Sequence, residues 1–180
     1  MSNTTACRTY RPGRAAQTEK GGAMDQDVAD EDADLLERAI EIAQLAHHGQ
    51  RYPSPDAEPY ILHPLRVMLA VQGSTARMAA VLHDVLEDTQ VGLDQLRDAG
   101  IPSCVIDAVV ALTRDAGSTY EEYIEQVAGN ETARLVKLAD LADNLANNRR
   151  LARTPDVLAR IDRYQRAQNR LEAVNNQSPR

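Results

Sequence analysis

The 180-residue chain contains no tryptophan and no phenylalanine, and only 3 % of its residues are aromatic. Its 43 % hydrophobic content therefore comes mainly from Ala, Leu and Val, a mixture that favours helices over strands. No apolar run approaches the length of a membrane-spanning helix. The net charge of −7 is unlike the basic surface of a general nucleic-acid binder. We therefore expect neither a membrane nor a nucleic acid as a partner.

Cysteine is also scarce, which excludes a cysteine-based metal site. Cys7 and Cys104 lie far apart in the sequence and lack the spacing of metal ligands. Cys104 falls on an apolar helix face and is expected to be a buried free thiol, which fits a reducing compartment. The N-terminal region has no apolar segment typical of a secretory signal. These features together favour a cytoplasmic protein.

Residues 1–30 lack hydrophobic periodicity and are predicted to be a disordered tail. Residues 1–23 carry four basic side chains against one acidic side chain, which leaves two alternatives. Either Met24 is the true start, or a basic tail contacts a partner. We favour the first, since such tails usually carry no structure. The length suggests one domain, placed over 31–174, with a second disordered tail over 175–180.

The rest of the chain shows helical patterns separated by short loops. Helices are predicted over about 32–48, from Pro64, over 74–88, over 93–99, from Pro102, from Ser118 or Thr119, over 131–146, and from Thr154-Pro155 to about 174. In the second of them, Leu65, Met68 and Leu69 are expected to face inward. With no convincing strand, we predict an all-α fold, a single helical bundle of about eight helices.

One stretch combines a core-facing pattern with an unusual concentration of charge. Residues 74–88 are predicted to form one helix, whose buried face consists of Met78, Val81, Leu82 and Val85. The side chains beside that face are His83, Asp84, Glu87 and Asp88, which form two i,i+4 pairs. Because charge next to a core needs a partner, the stretch indicates a divalent metal.

Three predicted helices supply donors for such a metal. His63 precedes Pro64, His83-Asp84 follow in the charged stretch, and Asp140 ends the segment that begins at Lys137. Two imidazoles and two carboxylates suit Mn²⁺, Fe²⁺ or Zn²⁺ and leave positions for water and a phosphate oxygen. Each residue alone has an ordinary structural explanation, such as an ion pair between Lys137 and Asp140. A metal site would be excluded only if the ordinary explanation were correct for every one of these residues.

These motifs resemble the HD-domain hydrolases of the RelA/SpoT type, and the short standalone alarmone hydrolases of the metazoan SpoT homologue kind in particular. The matching segments follow the family's order over residues 34–170. They are Ala46-His47-His48-Gly49-Gln50, Pro59-Tyr60-Ile61-Leu62-His63-Pro64, Leu82-His83-Asp84-Val85-Leu86-Glu87-Asp88-Thr89, and Lys137-Leu138-Ala139-Asp140 with Asn144.

The resemblance implies an all-α HD domain that removes the 3′-pyrophosphate from the guanosine alarmones ppGpp and pppGpp. It implies a Mn²⁺ ion held by His63, His83, Asp84 and Asp140. It also implies that Glu87 and Asp88 handle the attacking water, while Asn144 lies near the nucleotide. Arg160 and Tyr164 resemble an Arg–Tyr pair that contacts nucleotide in the family, and Arg51 resembles one of its phosphate-binding cations.

The chain departs from the family pattern in three places. Only Arg51 remains of the basic residues expected after Gln50, and Leu141 and Ala146 occupy two further positions that are often basic. A second carboxylate, Asp143, precedes the nucleotide-contacting asparagine. Because these changes remove positive charge, two alternatives stay open: a phosphohydrolase for another nucleotide phosphate, or a non-catalytic module that binds a nucleotide or a partner. Arg114 is a weaker candidate for a phosphate contact.

Overall fold

The computed structural model of the chain describes the backbone of residues 22–177 and the side chains of residues 30–176. Within this range the chain forms α1 (Gly22–Ala46), α2 (Leu62–Ala70), α3 (Ser74–Leu82), α4 (Val85–Asp88), α5 (Leu93–Asp98), α6 (Ser103–Leu112), α7 (Tyr120–Ala128), α8 (Glu131–Asn148) and α9 (Pro155–Gln177). The described residues contain no strand, and a lone antiparallel bridge joins Arg51 to Pro59. The predicted all-α fold is confirmed. No helix in this range combines the length and the apolar character needed to cross a membrane.

The ends of the helical region differ from the prediction. α1 begins at Gly22, so the disorder predicted for residues 1–30 is wrong over 22–30, and residues 1–21 lie outside the described residues. α9 continues to Gln177, so residues 175–177 are helical, and 178–180 likewise lie outside the described residues. Hydrophobic periodicity could not reveal these extensions, because both segments are polar.

α3 occupies the centre of the fold and positions the candidate site. It packs against α1, α2, α6 and α8. Its buried side chains include Met78, Val81 and Leu82, each exposed by 2 % or less. Burying an aliphatic side chain of this size stabilises a fold by about 1.5–3 kcal/mol. The core-facing pattern predicted for this stretch is confirmed.

The single helix predicted over 74–88 is wrong, because α3 ends at Leu82 and Val85 begins the separate α4. A side chain occupies the backbone acceptor at this break: His83 Nδ1 donates a hydrogen bond to the carbonyl oxygen of Ala80 at 2.7 Å. In a continuous α-helix that carbonyl would accept the N–H of Asp84. Asp84 instead takes φ −98° and ψ −4°, and the chain turns there.

Two expectations about individual side chains are also wrong. Leu69 was expected to face inward but is 74 % exposed, while its neighbour Val67 takes the fully buried position. Cys104 is half-buried on α6 and is disulfide-bonded rather than a free thiol. The cysteines therefore give no support to a reducing compartment.

Candidate metal centre and active site

The four predicted metal ligands converge from α2, the α3–α4 turn and α8. His63 Nε2 lies 3.1 Å from Asp140 Oδ1 and 3.7 Å from Asp84 Oδ2. His83 Nε2 lies 3.0 Å from Asp84 Oδ2 and 3.6 Å from Asp140 Oδ1. Donor atoms of His63, His83 and Asp140 all lie within 4.8 Å of one another, and all three residues are buried. Two nitrogen and two oxygen donors therefore face one small volume.

Both histidines are held through their Nδ1 atoms. His63 Nδ1 lies 2.7 Å from Asp143 Oδ2, and His83 Nδ1 lies 2.7 Å from the carbonyl oxygen of Ala80. A carbonyl oxygen can only accept, so His83 carries a proton on Nδ1, and Nε2 is the nitrogen that faces the site. His83 Nε2 is buried without a hydrogen-bond partner. An unsatisfied buried nitrogen costs about 1–3 kcal/mol, so this donor set fits a divalent metal.

The electrostatics keep both carboxylates anionic, as metal ligands must be. Burial alone would raise the pKa of Asp140, but the Lys137 ammonium, 2.9 Å from Asp140 Oδ2, and the two histidines hold that pKa well below its usual range. Burial likewise opposes ionisation of Asp84, and His83 holds the pKa of Asp84 below its ordinary value. The surrounding negative charge in turn raises the pKa of both histidines despite their burial.

Tyr52 packs against the ligands from the loop between α1 and α2. Its ring stacks on His63 with the centroids 4.7 Å apart. Its hydroxyl donates to Asn144 Oδ1 at 3.0 Å, and Asn144 Nδ2 donates to Asp140 Oδ1 at 2.5 Å. Asn144, predicted to lie near the nucleotide, thus holds the carboxylate of Asp140, a predicted metal ligand. Hydrophobic periodicity does not single out Tyr52, because loop residues carry no periodic pattern.

The two predicted catalytic carboxylates lie on α4, directly after the turn that carries two ligands. Glu87 Oε2 accepts a hydrogen bond from the backbone N–H of Arg114 at 3.2 Å. Asp88 Oδ2 accepts one from the Tyr60 hydroxyl at 3.1 Å. Both carboxylates are exposed and line the same cleft as the ligands. Gln50 holds this helix from outside by donating to the backbone carbonyl of Asp88 at 2.9 Å.

The cleft above the ligands has a volume of about 360 Å³. Of the four predicted substrate contacts, Asn144 and Tyr164 line it, whereas Arg51 and Arg160 do not belong to its lining. Arg51 is exposed and bridges to Pro59. Arg160 lies on α9 one turn before Tyr164, and its Nη1 lies 3.4 Å from Asn148 Oδ1. The structure therefore brings two of these four residues to the cleft.

Three cations line the cleft, and two of them, Lys137 and Arg163, were not among the predicted substrate contacts. Lys137 was considered only as an ion-pair partner, although its Nζ also lies 5.0 Å from the ring centroid of Tyr123. Arg163 was one of many arginines on α9, and its guanidinium lies 5.0 Å from the ring centroid of Tyr120. Arg114, the weaker candidate, lines the cleft as well. Two of these cations, Arg114 and Arg163, therefore bring positive charge to the site from positions outside the matched motifs.

Comparison with known proteins identifies the family. No family model matches the chain. It is 32 % identical over 147 residues to the mouse guanosine-3′,5′-bis(diphosphate) 3′-pyrophosphohydrolase MESH1, an alignment that covers 76 % of this chain and 82 % of the relative. The chain belongs to the MESH1 family of guanosine-3′,5′-bis(diphosphate) 3′-pyrophosphohydrolases. The zebrafish MESH1 is 33 % identical over 68 % of this chain and 72 % of its own length.

Two further similarities concern a longer protein and a solved structure with the same fold. The GTP pyrophosphokinase of Streptomyces coelicolor is 35 % identical over 130 residues, but the chain spans only 15 % of that longer protein. A solved structure of a metazoan SpoT orthologue, described as hydrolysing ppGpp, aligns with a TM-score of 0.60 at 24 % identity. That alignment covers 79 % of this chain and 94 % of the other, and it agrees with the all-helical fold.

Proposed function

We propose that this protein hydrolyses ppGpp and pppGpp to GDP or GTP and pyrophosphate, with Mn²⁺ as its metal. The observation that carries the proposal is the convergence of two histidines and two carboxylates beside Glu87 and Asp88, in a member of the MESH1 family. A cytoplasmic location belongs to the same proposal, since a nucleotide with several phosphates does not cross a membrane unaided. The net charge of −7 argues against a nucleic-acid partner.

His63 and His83 would hold the metal through Nε2, and Asp84 and Asp140 through one carboxylate oxygen each. Manganese is favoured over softer metals because half of this donor set is carboxylate oxygen. When bound, the metal supplies Lewis-acid polarisation of a phosphoryl oxygen and lowers the pKa of water. Lys137 keeps Asp140 anionic and so keeps this oxygen donor available.

Glu87 and Asp88 have the proposed catalytic roles. Glu87 receives a backbone N–H on Oε2, which leaves Oε1 to take a proton from the attacking water. Asp88, fixed by the Tyr60 hydroxyl, orients that water. The water oxygen joins the phosphorus next to the ribose, and the bond from this phosphorus to the 3′ oxygen breaks, which releases pyrophosphate. The 3′ oxygen takes up the proton that Glu87 accepted from the water, so Glu87 returns to its carboxylate form. No covalent enzyme intermediate is needed.

Substrate contacts complete the proposal. Asn144 and Tyr164 line the cleft and are assigned to the nucleotide. Arg51 and Arg160 keep their proposed phosphate roles only if their long side chains turn toward the cleft when substrate binds. Arg163 is better placed, because it already lines the cleft between two tyrosine rings.

The direct test is to incubate Mn²⁺-loaded protein with ppGpp and to separate the products by anion exchange. We expect GDP and pyrophosphate. Asp140→Asn should yield neither, because the site loses an anionic donor. Asp107→Asn, at an exposed carboxylate on α6, is the matched control and should keep full activity. Intact ppGpp after incubation with wild-type protein that has bound Mn²⁺ would contradict the proposal.

A second candidate is a phosphohydrolase that acts on another nucleotide phosphate. The observation in its favour is the charge of the cleft, where four carboxylates face three cations, an unfavourable balance for a substrate with many phosphates. A panel of nucleotides assayed for phosphate or pyrophosphate release separates this candidate from the first. A non-catalytic binding module is less well supported, because it has no use for the carboxylates placed beside the ligands. Tight nucleotide binding without turnover would favour it.

A further inference from the structure

Asp143 lies one residue before Asn144 on α8 and is not one of the four proposed ligands. Its Oδ2 lies 2.7 Å from His63 Nδ1, on the far side of the imidazole from the site. A carboxylate at this distance accepts the Nδ1–H. The opposite nitrogen, Nε2, is the atom that faces Asp140 at 3.1 Å. The contact therefore bears directly on how His63 presents its donor.

Asp143 is itself held in place by Arg66. Arg66 Nε donates to Asp143 Oδ1 at 2.7 Å, and Arg66 Nη2 donates to Asp143 Oδ2 at 3.2 Å. The third contact of this guanidinium is Glu58 Oε1, 2.7 Å from Nη1. Two-point pairing fixes both the position and the plane of a carboxylate. Arg66 and His63 both lie on α2, so this network joins α2 to α8 at the ligand.

We propose that Asp143, held by Arg66, is a positioning residue that fixes His63 in the Nδ1–H form and so keeps Nε2 available to the metal. The proposal rests on the proposed metal site. It gives a role to a carboxylate that otherwise only adds negative charge near a phosphate substrate.

The physical reason lies in the two forms of neutral imidazole. Each nitrogen of His63 faces a carboxylate, Asp143 at 2.7 Å from Nδ1 and Asp140 at 3.1 Å from Nε2. Without Asp143 the proton of the neutral ring would move to Nε2 and be shared with Asp140, which removes the lone pair that a metal needs. A carboxylate acceptor also makes the opposite nitrogen a stronger donor, and loss of such a partner typically weakens metal binding about 10- to 100-fold. Tyr52, stacked on the same ring, limits its tilt but offers no acceptor to Nδ1.

The first measurement is Mn²⁺ affinity by isothermal titration calorimetry. Asp143→Ala should weaken binding about 10- to 100-fold. Asp143→Asn keeps an oxygen acceptor and should recover part of that loss, and Arg66→Gln should give a smaller loss. The matched control is Glu125→Ala, which breaks a similar two-point pair with Arg170 on the surface of α7 and α9. The control should bind Mn²⁺ as the wild type does.

The second measurement needs no metal. Nitrogen-15 NMR of the imidazole reports which nitrogen of His63 carries the proton, at a pH where the ring is neutral. Wild-type protein should show the Nδ1–H form, and Asp143→Ala should show a mixture or the Nε2–H form. If Asp143→Ala is folded by circular dichroism and keeps the Nδ1–H form, the proposal is wrong. This result is independent of turnover, so failure of the proposed function and failure of this proposal give different outcomes.

Discussion

The hydroxyl of Tyr60 lies 2.7 Å from Asp84 Oδ2 and 3.1 Å from Asp88 Oδ2, so one phenol joins a proposed ligand to a proposed catalytic carboxylate. A hydroxyl has a single hydrogen, so the two carboxylates share it, and the shorter distance makes Asp84 the stronger acceptor. Burial, followed by the charge of Asp84, raises the pKa of Tyr60 far above its ordinary value. Tyr60 therefore remains a neutral donor throughout the physiological pH range.

Removing this hydroxyl tests how much the charged hydrogen bond stabilises the fold. Tyr60→Phe should lower the free energy of unfolding by about 1.5–3 kcal/mol, because it removes a hydrogen bond to a carboxylate. Tyr123→Phe is the control, since its hydroxyl donates at 2.6 Å to the neutral carbonyl of Leu112. That change should cost about 0.5–1.5 kcal/mol. Urea unfolding of both variants gives the comparison, and equal losses would be evidence against a special role for Tyr60.

Metal binding and turnover should separate in two alanine variants. Asp84→Ala should lose Mn²⁺ binding, because one anionic donor disappears from the centre of the site. Glu87→Ala should bind Mn²⁺ as the wild type does and lose turnover by about 100-fold or more, since it removes the proposed base. Calorimetry and product analysis measure the two properties. Full activity of the Glu87 variant would show that the base has been assigned to the wrong residue.

Mn²⁺ affinity should fall as the pH falls. In the metal-free protein burial lowers the pKa of His63 and His83, but the negative charge of the neighbouring carboxylates outweighs burial and raises both pKa values above the ordinary histidine value. Metal binding must displace these protons, at a cost of about tenfold in affinity per pH unit for each proton released.

The raised pKa values of His63 and His83 also determine how the stability of the metal-free protein changes with pH. Groups whose pKa is raised by folding stabilise the folded protein at low pH, and this contribution disappears as the pH rises through the raised values. Metal should therefore add the most stability under alkaline conditions.

Calorimetry of Mn²⁺ binding in buffers of different ionisation enthalpy counts the released protons. An affinity that does not change between about pH 6 and pH 9 would contradict the expectation.

Two arginines on α9 should have different effects on substrate affinity. Arg163 lines the cleft, so Arg163→Ala should raise KM for ppGpp by about tenfold, the effect of losing one charge-assisted contact. Arg160→Ala should change KM far less, because its guanidinium lies toward Asn148. Steady-state kinetics at saturating Mn²⁺ measures both. The reverse order would mean that Arg160 turns into the cleft when substrate is present.

The α3 core should be far more sensitive than the surface of α2. Leu82→Ala should cost about 2–5 kcal/mol of unfolding free energy, since Leu82 is fully buried and the change leaves a cavity. Leu69→Ala removes the same atoms from a side chain that is 74 % exposed and should change stability by no more than about 0.5 kcal/mol. Thermal or urea unfolding checks both variants. Similar losses at the two positions would place Leu69 in an interface.

Features of the fold and of the site that depend on hydrophobic periodicity or on a short motif could be predicted from the sequence. The buried face of α3 follows from its apolar spacing. The start of α7 follows from the capping side chains at Ser118 and Thr119, of which the structure uses Thr119. The four proposed ligands could be predicted because each lies in a short motif and these motifs follow the order of the family that they resemble. The prediction that the ligands lie close together needed one further assumption, that the helices pack into a single domain.

What the sequence could not give depends on hydrogen bonds and loop geometry. The end of α3 at Leu82 comes from a side-chain bond to a backbone carbonyl, which leaves no trace in hydrophobic spacing. The choice of Arg163 over Arg160 at the cleft depends on how residues 149–154 set the rotation of α9. The role proposed for Asp143 depends on its distance from His63, which spacing along the chain does not reveal.

The bond between His83 and Ala80 has a consequence for how this protein can change over time. One imidazole both ends a helix and offers a donor to the site, so a replacement at this codon has two effects at once. It removes the donor, and it frees the Ala80 carbonyl for the backbone, which favours continuing the helix and re-aiming the carboxylates of α4. Replacement of His83 in a descendant that has lost the activity would therefore also change the shape of this turn.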